Sequence, residues 1–150
     1  MTDIKSSKER SKNMAAIKST NTKPEILFRH WLFSLGLRYR INAINIYGHP
    51  DLFLKKYNVA VFINGCFWHR HEGCHFSYNP KSNIDFWNKK FENNKRRDKV
   101  VKDALKEQKV RQAIIWECTI KEMNRDTKYK NLIIQEFIDF LNGDQQYFEI

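Results

Sequence analysis

The chain has 150 residues, a size typical of one domain, and its 41% hydrophobic and 14% aromatic content argues against an intrinsically disordered polymer. No apolar run approaches the ~20 residues that cross a bilayer, and MTDIKSSKER carries no signal-like apolar segment, so a soluble, cytoplasmic protein is expected. The net charge of +10 is clustered, with eleven basic against five acidic side chains in residues 81–111 and six against two in residues 1–24. That clustering favours a polyanion partner, nucleic acid first, over a solvated helix face or a membrane surface.

Residues 1–21 read as a basic arm, whose one apolar patch, Met14-Ala15-Ala16-Ile17, is too small to pack a core. Its cations Lys8, Arg10, Lys12 and Lys18 are expected to meet phosphates. A single domain over residues 22–150 is expected to follow. TKPEILFRHWLFSLG opens it as a helix: Thr22 and Glu25 have capping-box spacing, and Pro24 sits in the first turn. Leu27, Trp31, Leu32 and Leu35 keep helical spacing, and Gly36 can end the helix. LRYRI reads as a short strand. DLFLKK and NVAVFING read as two more, joined by a hairpin at Tyr57-Asn58. A long helix is predicted from Ser82 to about Lys109, with Ser82 and Asp85 as its capping pair. VRQAIIWEC (110–118) reads as a buried strand, and residues 129–142 as a closing helix. That order predicts an α/β fold with a mixed sheet flanked by helices.

The chemistry concentrates in NGCFWHRHEGCHF, residues 64–76. Cys66, His71 and Cys74 offer three zinc ligands from one loop, and Cys118, ending the predicted strand, offers a fourth; His69 and His75 are rival histidine ligands. The bland alternative is a pair of buried thiols beside exposed histidines. A site closed by four protein ligands has no open position, so its zinc would be structural. His69, two residues from a ligand, would then be free to act as a general base. Asp51 opens the strand PDLFL, and Asn64 lies near the end of the next strand. A carboxylate, a strand-end carbonyl and a polar side chain so placed suit a hard cation such as Mg²⁺. Trp31 and Trp116 read as core, and Phe67 and Trp68 would by default read the same way.

NTKPE, LGLRYR, GHPDL, VFINGCFWHRHEGC and WEC, in this order and at these separations, resemble the very short patch repair (Vsr) mismatch endonucleases over about residues 8 to 120. The resemblance implies a PD-(D/E)xK-like nuclease fold with a structural zinc. It also implies a Mg²⁺-dependent nick beside the thymine of a T·G mismatch, a lesion that arises when 5-methylcytosine deaminates. It assigns Asp51 and the backbone carbonyl of Ile63 to magnesium, His69 to activation of water, and Glu25 to an auxiliary acid. Cys66, His71, Cys74 and Cys118 become the zinc ligands. Phe67, Trp68 and Trp87 become wedging aromatics, with Met14 of the arm entering from the other groove. Lys89, Lys90, Lys95, Arg96 and Arg97 surround Trp87 as phosphate contacts. Asn64 departs from the pattern, because the best-known members carry histidine there; an amide can hydrogen-bond a phosphate or water but cannot carry a proton.

The implied partner is double-stranded DNA with a T·G mismatch, met in the cytoplasm at the nucleoid. A link to a cytosine-5 methyltransferase and to repair proteins goes with it, with a monomer as the default. Two other readings stay open: a restriction-type endonuclease on the same scaffold, and a zinc-stabilised DNA-binding protein without catalysis.

Overall fold

In a computed structural model that describes Lys8 and residues 20–150, the helix that opens the latter stretch, α1 (Lys23–Ser34), begins where its capping residues place it. Thr22 takes an extended N-cap conformation and its hydroxyl accepts the Glu25 N–H at 3.5 Å. The Glu25 carboxylate answers by accepting from the Thr22 hydroxyl at 3.1 Å and from the Asn21 N–H at 3.0 Å. At the other end Gly36, at φ +85°, donates to the Phe33 carbonyl while Leu37 donates to that of Leu32, a paired closure that needs the left-handed residue. Met14, with Arg10, Lys12 and Lys18, lies outside the described residues.

Five strands form one mixed sheet in chain order: β1 (Arg40–Ile41), β2 (Leu52–Leu54), β3 (Val59–Asn64), β4 (Arg111–Trp116) and β5 (Tyr147–Glu149). The junctions β1–β2 and β2–β3 are antiparallel, while β3–β4 and β4–β5 are parallel. Parallel neighbours need a crossover, and α2 (Ile84–Glu107) supplies it between β3 and β4. Two further helices, α3 (Glu117–Arg125) and α4 (Thr127–Asn142), follow β4. No helix of the described residues is long and apolar enough to cross a membrane.

Alternation along the strands sorts the core into two layers. Leu52, Leu54, Val59, Val61, Ala113 and Ile115 face α1, α3 and α4, where Phe28, Leu32, Ile120, Met123 and Phe137 complete the larger cluster. The opposite face turns Phe53 and Ala60 toward α2, against Leu105 and Val101. Gly48 lets the loop before β2 press onto α2. At its φ of +84° a Cβ would stand 2.6 Å from a Val101 methyl, so the close approach that delivers His49, Pro50 and Asp51 requires glycine.

Four expectations are corrected. β2 stops at Leu54, and Lys55–Asn58 form a four-residue turn with Asn58 at φ 56°, in place of a longer strand and a two-residue hairpin. The N-cap position of α2 is Asn83, in the left-handed conformation and with no cap hydrogen bond from its side chain, one residue after the expected Ser82. β4 ends at Trp116, because its parallel partner ends at Asn64 and no ladder remains for Glu117 and Cys118, which start α3 instead. Helix α3 and edge strand β5 carry signals too short for periodicity to reveal.

Candidate active site and metal centre

Glu25, Asp51, Ile63, Asn64 and His69 line one cavity of about 1010 Å³ at the carboxyl end of β3, the usual position for a site on parallel strands. Asp51 Oδ2 accepts the Ile63 N–H at 2.6 Å. Within a strand the N–H and C=O of one residue point to the same side, so the Ile63 carbonyl faces the same edge as this bond. Burial pushes the Asp51 carboxyl up to about 7; the Ile63 N–H opposes that rise, the Glu25 carboxylate adds to it, and His69 opposes it. A buried acid beside a second acid is relieved by a proton or a cation. The donors here are carboxylate, amide and carbonyl oxygens with no sulfur, and that chemistry fits Mg²⁺. Asn64 is itself buried, and both Glu25 oxygens already hold hydrogen bonds at the start of α1.

His69 sits on a tight turn in which its N–H reaches the Gly65 carbonyl at 3.1 Å. Its Nδ1 lies 2.7 Å from Asp98 Oδ2 on α2. A carboxylate so placed accepts from a proton on Nδ1, and in the neutral imidazole that tautomer leaves Nε2 as the acceptor. Sequence reasoning missed Asp98; its one signal is an isolated acid inside the basic run KRRDK.

Cys66, His71, Cys74 and Cys118 bring their ligand atoms within 4.8 Å of one another. His71 Nδ1 stands 3.3 Å from Cys118 Sγ and 3.6 Å from Cys66 Sγ. Tetrahedral zinc with bonds near 2.3 Å to sulfur and 2.1 Å to nitrogen gives ligand–ligand edges of roughly 3.5–3.8 Å, so the cluster fits. Burial pushes the Cys66 thiol up to about 12, and the nearby Cys118 and Cys74 sulfurs oppose further negative charge. Burial also lowers His71, favouring the neutral imidazole that a metal takes. That ring stacks on Trp116 at 4.1 Å and 5°, which fixes its plane. Cys118 joins from the first turn of α3 and not from a strand.

Phe67 and Trp68 lie on the turn between these two centres, so strand alternation does not govern them. Phe67 meets Trp68, Tyr78, Trp87 and Phe91 with ring centres 5.0–5.4 Å apart. Both residues are half-buried in one aromatic cluster shared with α2. Trp31 is partly buried against the main core, and Trp116 is buried. A second cavity of about 510 Å³ runs along α2 between Phe86, Lys89, Lys90, Asn93, Asn94 and Arg97. Lys90 and Arg97 also line the first cavity. At about 100° per residue Lys95 falls on the opposite side of α2 from this groove, and Arg96 on its flank. Asn94, also missed from the sequence, is buried and donates to the Trp68 carbonyl at 3.1 Å while accepting from Arg97 at 2.9 Å.

Residues 2–75 match the family model described as DNA mismatch endonuclease Vsr. The chain is 34% identical over 121 residues to the DNA mismatch endonuclease Vsr of Escherichia coli (strain K12), covering 81% of this chain and 77% of that protein. The chain belongs to the Vsr family. It is also 40% identical over 139 residues to the type II nicking enzyme V.NmeAIP of Neisseria meningitidis serogroup A, across 93% of this chain and 99% of that protein. To the type II nicking enzyme V.HpaIIP of Haemophilus parainfluenzae it is 50% identical over 91 residues, 61% and 64% of the two chains. Within this Vsr-family chain, the two groups missed from the sequence, Asp98 and Asn94, both come from α2 and meet the turn only through the fold.

Proposed function

We propose that this protein is a Mg²⁺-dependent DNA endonuclease of the PD-(D/E)xK type that nicks one strand beside the thymine of a T·G mismatch produced by 5-methylcytosine deamination. The observation that carries the reading is one cavity holding a buried carboxyl, Asp51, together with a histidine, His69, whose Nδ1 lies 2.7 Å from Asp98. The family's description as mismatch endonucleases and the nicking named for the relatives support it.

When bound at Asp51 and the Ile63 carbonyl, Mg²⁺ supplies the positive charge that offsets the charge developing on the scissile phosphate. His69 Nε2 orients a water and takes its proton, and Asp98 stabilises the imidazolium that results. Asn64 orients a phosphate oxygen or water and moves no proton. Cys66, His71, Cys74 and Cys118 would together hold a structural zinc, which would fix the turn that joins the aromatics to His69. Phe67, Trp68 and Trp87 unstack bases at the mismatch, a cost of a few kcal/mol per step that is lower at a weak T·G pair. Lys89, Lys90 and Arg97 along α2 hold the backbone and Arg96 reaches it from the flank, while Lys95 on the far side adds only to the positive field; the arm's Met14 enters from the other groove. The protein would act as a monomer in the cytoplasm, beside a cytosine-5 methyltransferase and repair proteins.

Labelled duplexes carrying T·G or T·A in several contexts, incubated with Mg²⁺, test the reading. Nicks confined to the thymine strand of T·G are expected. Equal cutting of T·A would make it a restriction-type enzyme, and binding without nicks under any divalent cation would make it a DNA-binding module. Trp68→Ala is expected to lower cutting of T·G about tenfold or more while leaving binding to matched DNA nearly unchanged. A gel-shift titration beside the nicking assay separates the two quantities.

His69→Ala is expected to lower kcat by ~10²–10³-fold and Asp98→Asn by about tenfold. Because Asp98 acts through His69, the double variant should be no slower than His69→Ala alone. Additive losses in single-turnover rates would show that the two side chains act separately.

A further inference from the structure

Arg70 is a half-buried cation on the turn that carries Phe67, Trp68 and His69, and nothing above uses it. Its Nη1 donates to the Phe67 carbonyl at 3.3 Å and to the Tyr78 carbonyl at 3.0 Å. Its Nη2 donates to the Ser77 carbonyl at 3.1 Å and to Asn79 Oδ1 at 2.7 Å. The guanidinium plane lies over the Phe91 ring, 4.0 Å from its centre. Arg70 itself holds φ +55°, a conformation that a non-glycine residue keeps only where its surroundings enforce it.

The metal ligands anchor the loop between Cys66 and Cys74, but residues 75–83, which carry Tyr78, supply none. Carbonyls in irregular backbone have no ladder partner and need a donor. A guanidinium has five N–H groups in a rigid plane, so one side chain can serve acceptors on both limbs of the loop and still stack on α2. The result is a set of rings packed around Phe67: Tyr78 at 5.0 Å, Phe91 at 5.2 Å and Trp87 at 5.4 Å.

We propose that Arg70 is a positioning residue for mismatch recognition: it fastens the outer limb of the loop and α2 around Phe67, so that the aromatic wedge enters DNA as a stiff body. The inference rests on the wedge function proposed above. Stiffness decides the outcome, because unstacking a base step takes a few kcal/mol, and a loop that yields at lower energy bends in place of the DNA. Affinity from the cations of α2 should survive, since those phosphate contacts do not pass through Arg70.

The test uses the zinc-loaded full chain and a T·G duplex with 2-aminopurine beside the mismatch, whose fluorescence rises when the base unstacks. Wild type is expected to raise the signal and to nick. Arg70→Ala is expected to lose most of the rise and at least ~10-fold in kcat, with KM and salt dependence within about twofold. Zinc content and Tm should stay near wild type. Arg70→Lys should recover little, because an ammonium cannot span four acceptors and a ring. Asn79→Ala, which removes one acceptor, should show a smaller loss in the same direction. An unchanged fluorescence rise in Arg70→Ala overturns the proposal, as does loss of zinc in step with loss of activity. Should Arg70→Ala fail to fold, a normal signal in both Arg70→Lys and Asn79→Ala overturns it equally. A wild type that nicks T·G without any fluorescence rise would overturn the wedge and leave the nuclease reading intact.

Discussion

Asp51→Asn is expected to leave no measurable nicking of a T·G duplex in Mg²⁺, a fall of ~10³-fold or more in kcat. The amide keeps the shape of the carboxyl and can still accept the Ile63 N–H, so the loss would report the missing charge and not a broken loop. A stability measurement separates the cation from the chemistry. Burial holds the Asp51 carboxyl at about 7 in the folded chain, against 3.8 for the free side chain. Between those values the folded chain keeps a proton that the unfolded chain has released. The ion-free protein therefore loses stability from this group as pH rises from about 4 to about 7, and no more above that.

Asp51→Asn removes that slope, so the variant should match wild type in Tm near about pH 4 and exceed it near about pH 8. Added Mg²⁺ should raise the wild-type Tm near about pH 8, raise it less near about pH 5.5 where the proton competes, and leave the variant unmoved. Thermal denaturation followed by circular dichroism at the three pH values gives all of these numbers. Equal Mg²⁺ shifts in both proteins would place the cation away from Asp51.

What the sequence disclosed, and what it hid, follows from how far each interaction reaches along the chain. The start of α1 was legible because Thr22 and Glu25 satisfy each other three residues apart, and its end because Gly36 closes a local turn. Cys66, His71 and Cys74 stand within nine positions, so their spacing carried information before any fold was known. Asp98 stands 29 residues from His69, and nothing local in KRRDK says that one acid turns inward while its basic neighbours face solvent. Cys118 reads as a strand residue because β-branched residues precede it; what stops that strand is the length of β3, its partner 52 positions earlier. Arg70 reads as any other surface cation, since three of its four acceptors are backbone carbonyls that have no sequence signature. The cations of α2 looked equivalent as a run, and helical geometry separates Lys90 and Arg97, which reach both cavities, from Lys95.

Removing zinc is expected to abolish the fold around residues 65–79, and not merely to slow the enzyme. Three thiols gathered about one histidine are a poor arrangement for a metal-free chain, because burial and mutual repulsion hold Cys66 and Cys118 protonated. A bound zinc reverses that preference, and apparent binding free energies of roughly 10–16 kcal/mol in zinc-finger peptides compare with a whole-domain stability of about 5–15 kcal/mol. Cys66→Ser and Cys118→Ser should therefore purify with no zinc and lower the Tm by more than ~10 °C, if they stay soluble at all. A chelator acting on wild type should red-shift the emission of Trp68, Trp87 and Trp116, which line or adjoin the metal loop, and should end nicking even in excess Mg²⁺. Zn²⁺ should restore both signals and Mg²⁺ neither, because thiolates select the softer ion. Each thiol gives up a proton on binding, so zinc affinity should fall steeply on acidification, by up to ~10³-fold per pH unit when all three protonate together. The magnesium site, with one carboxyl near 7, should lose no more than about tenfold per unit. Two metals with different pH slopes in one small domain can be told apart by titration alone, and a chelated protein that kept its Tm would show that the four side chains hold their shape without an ion.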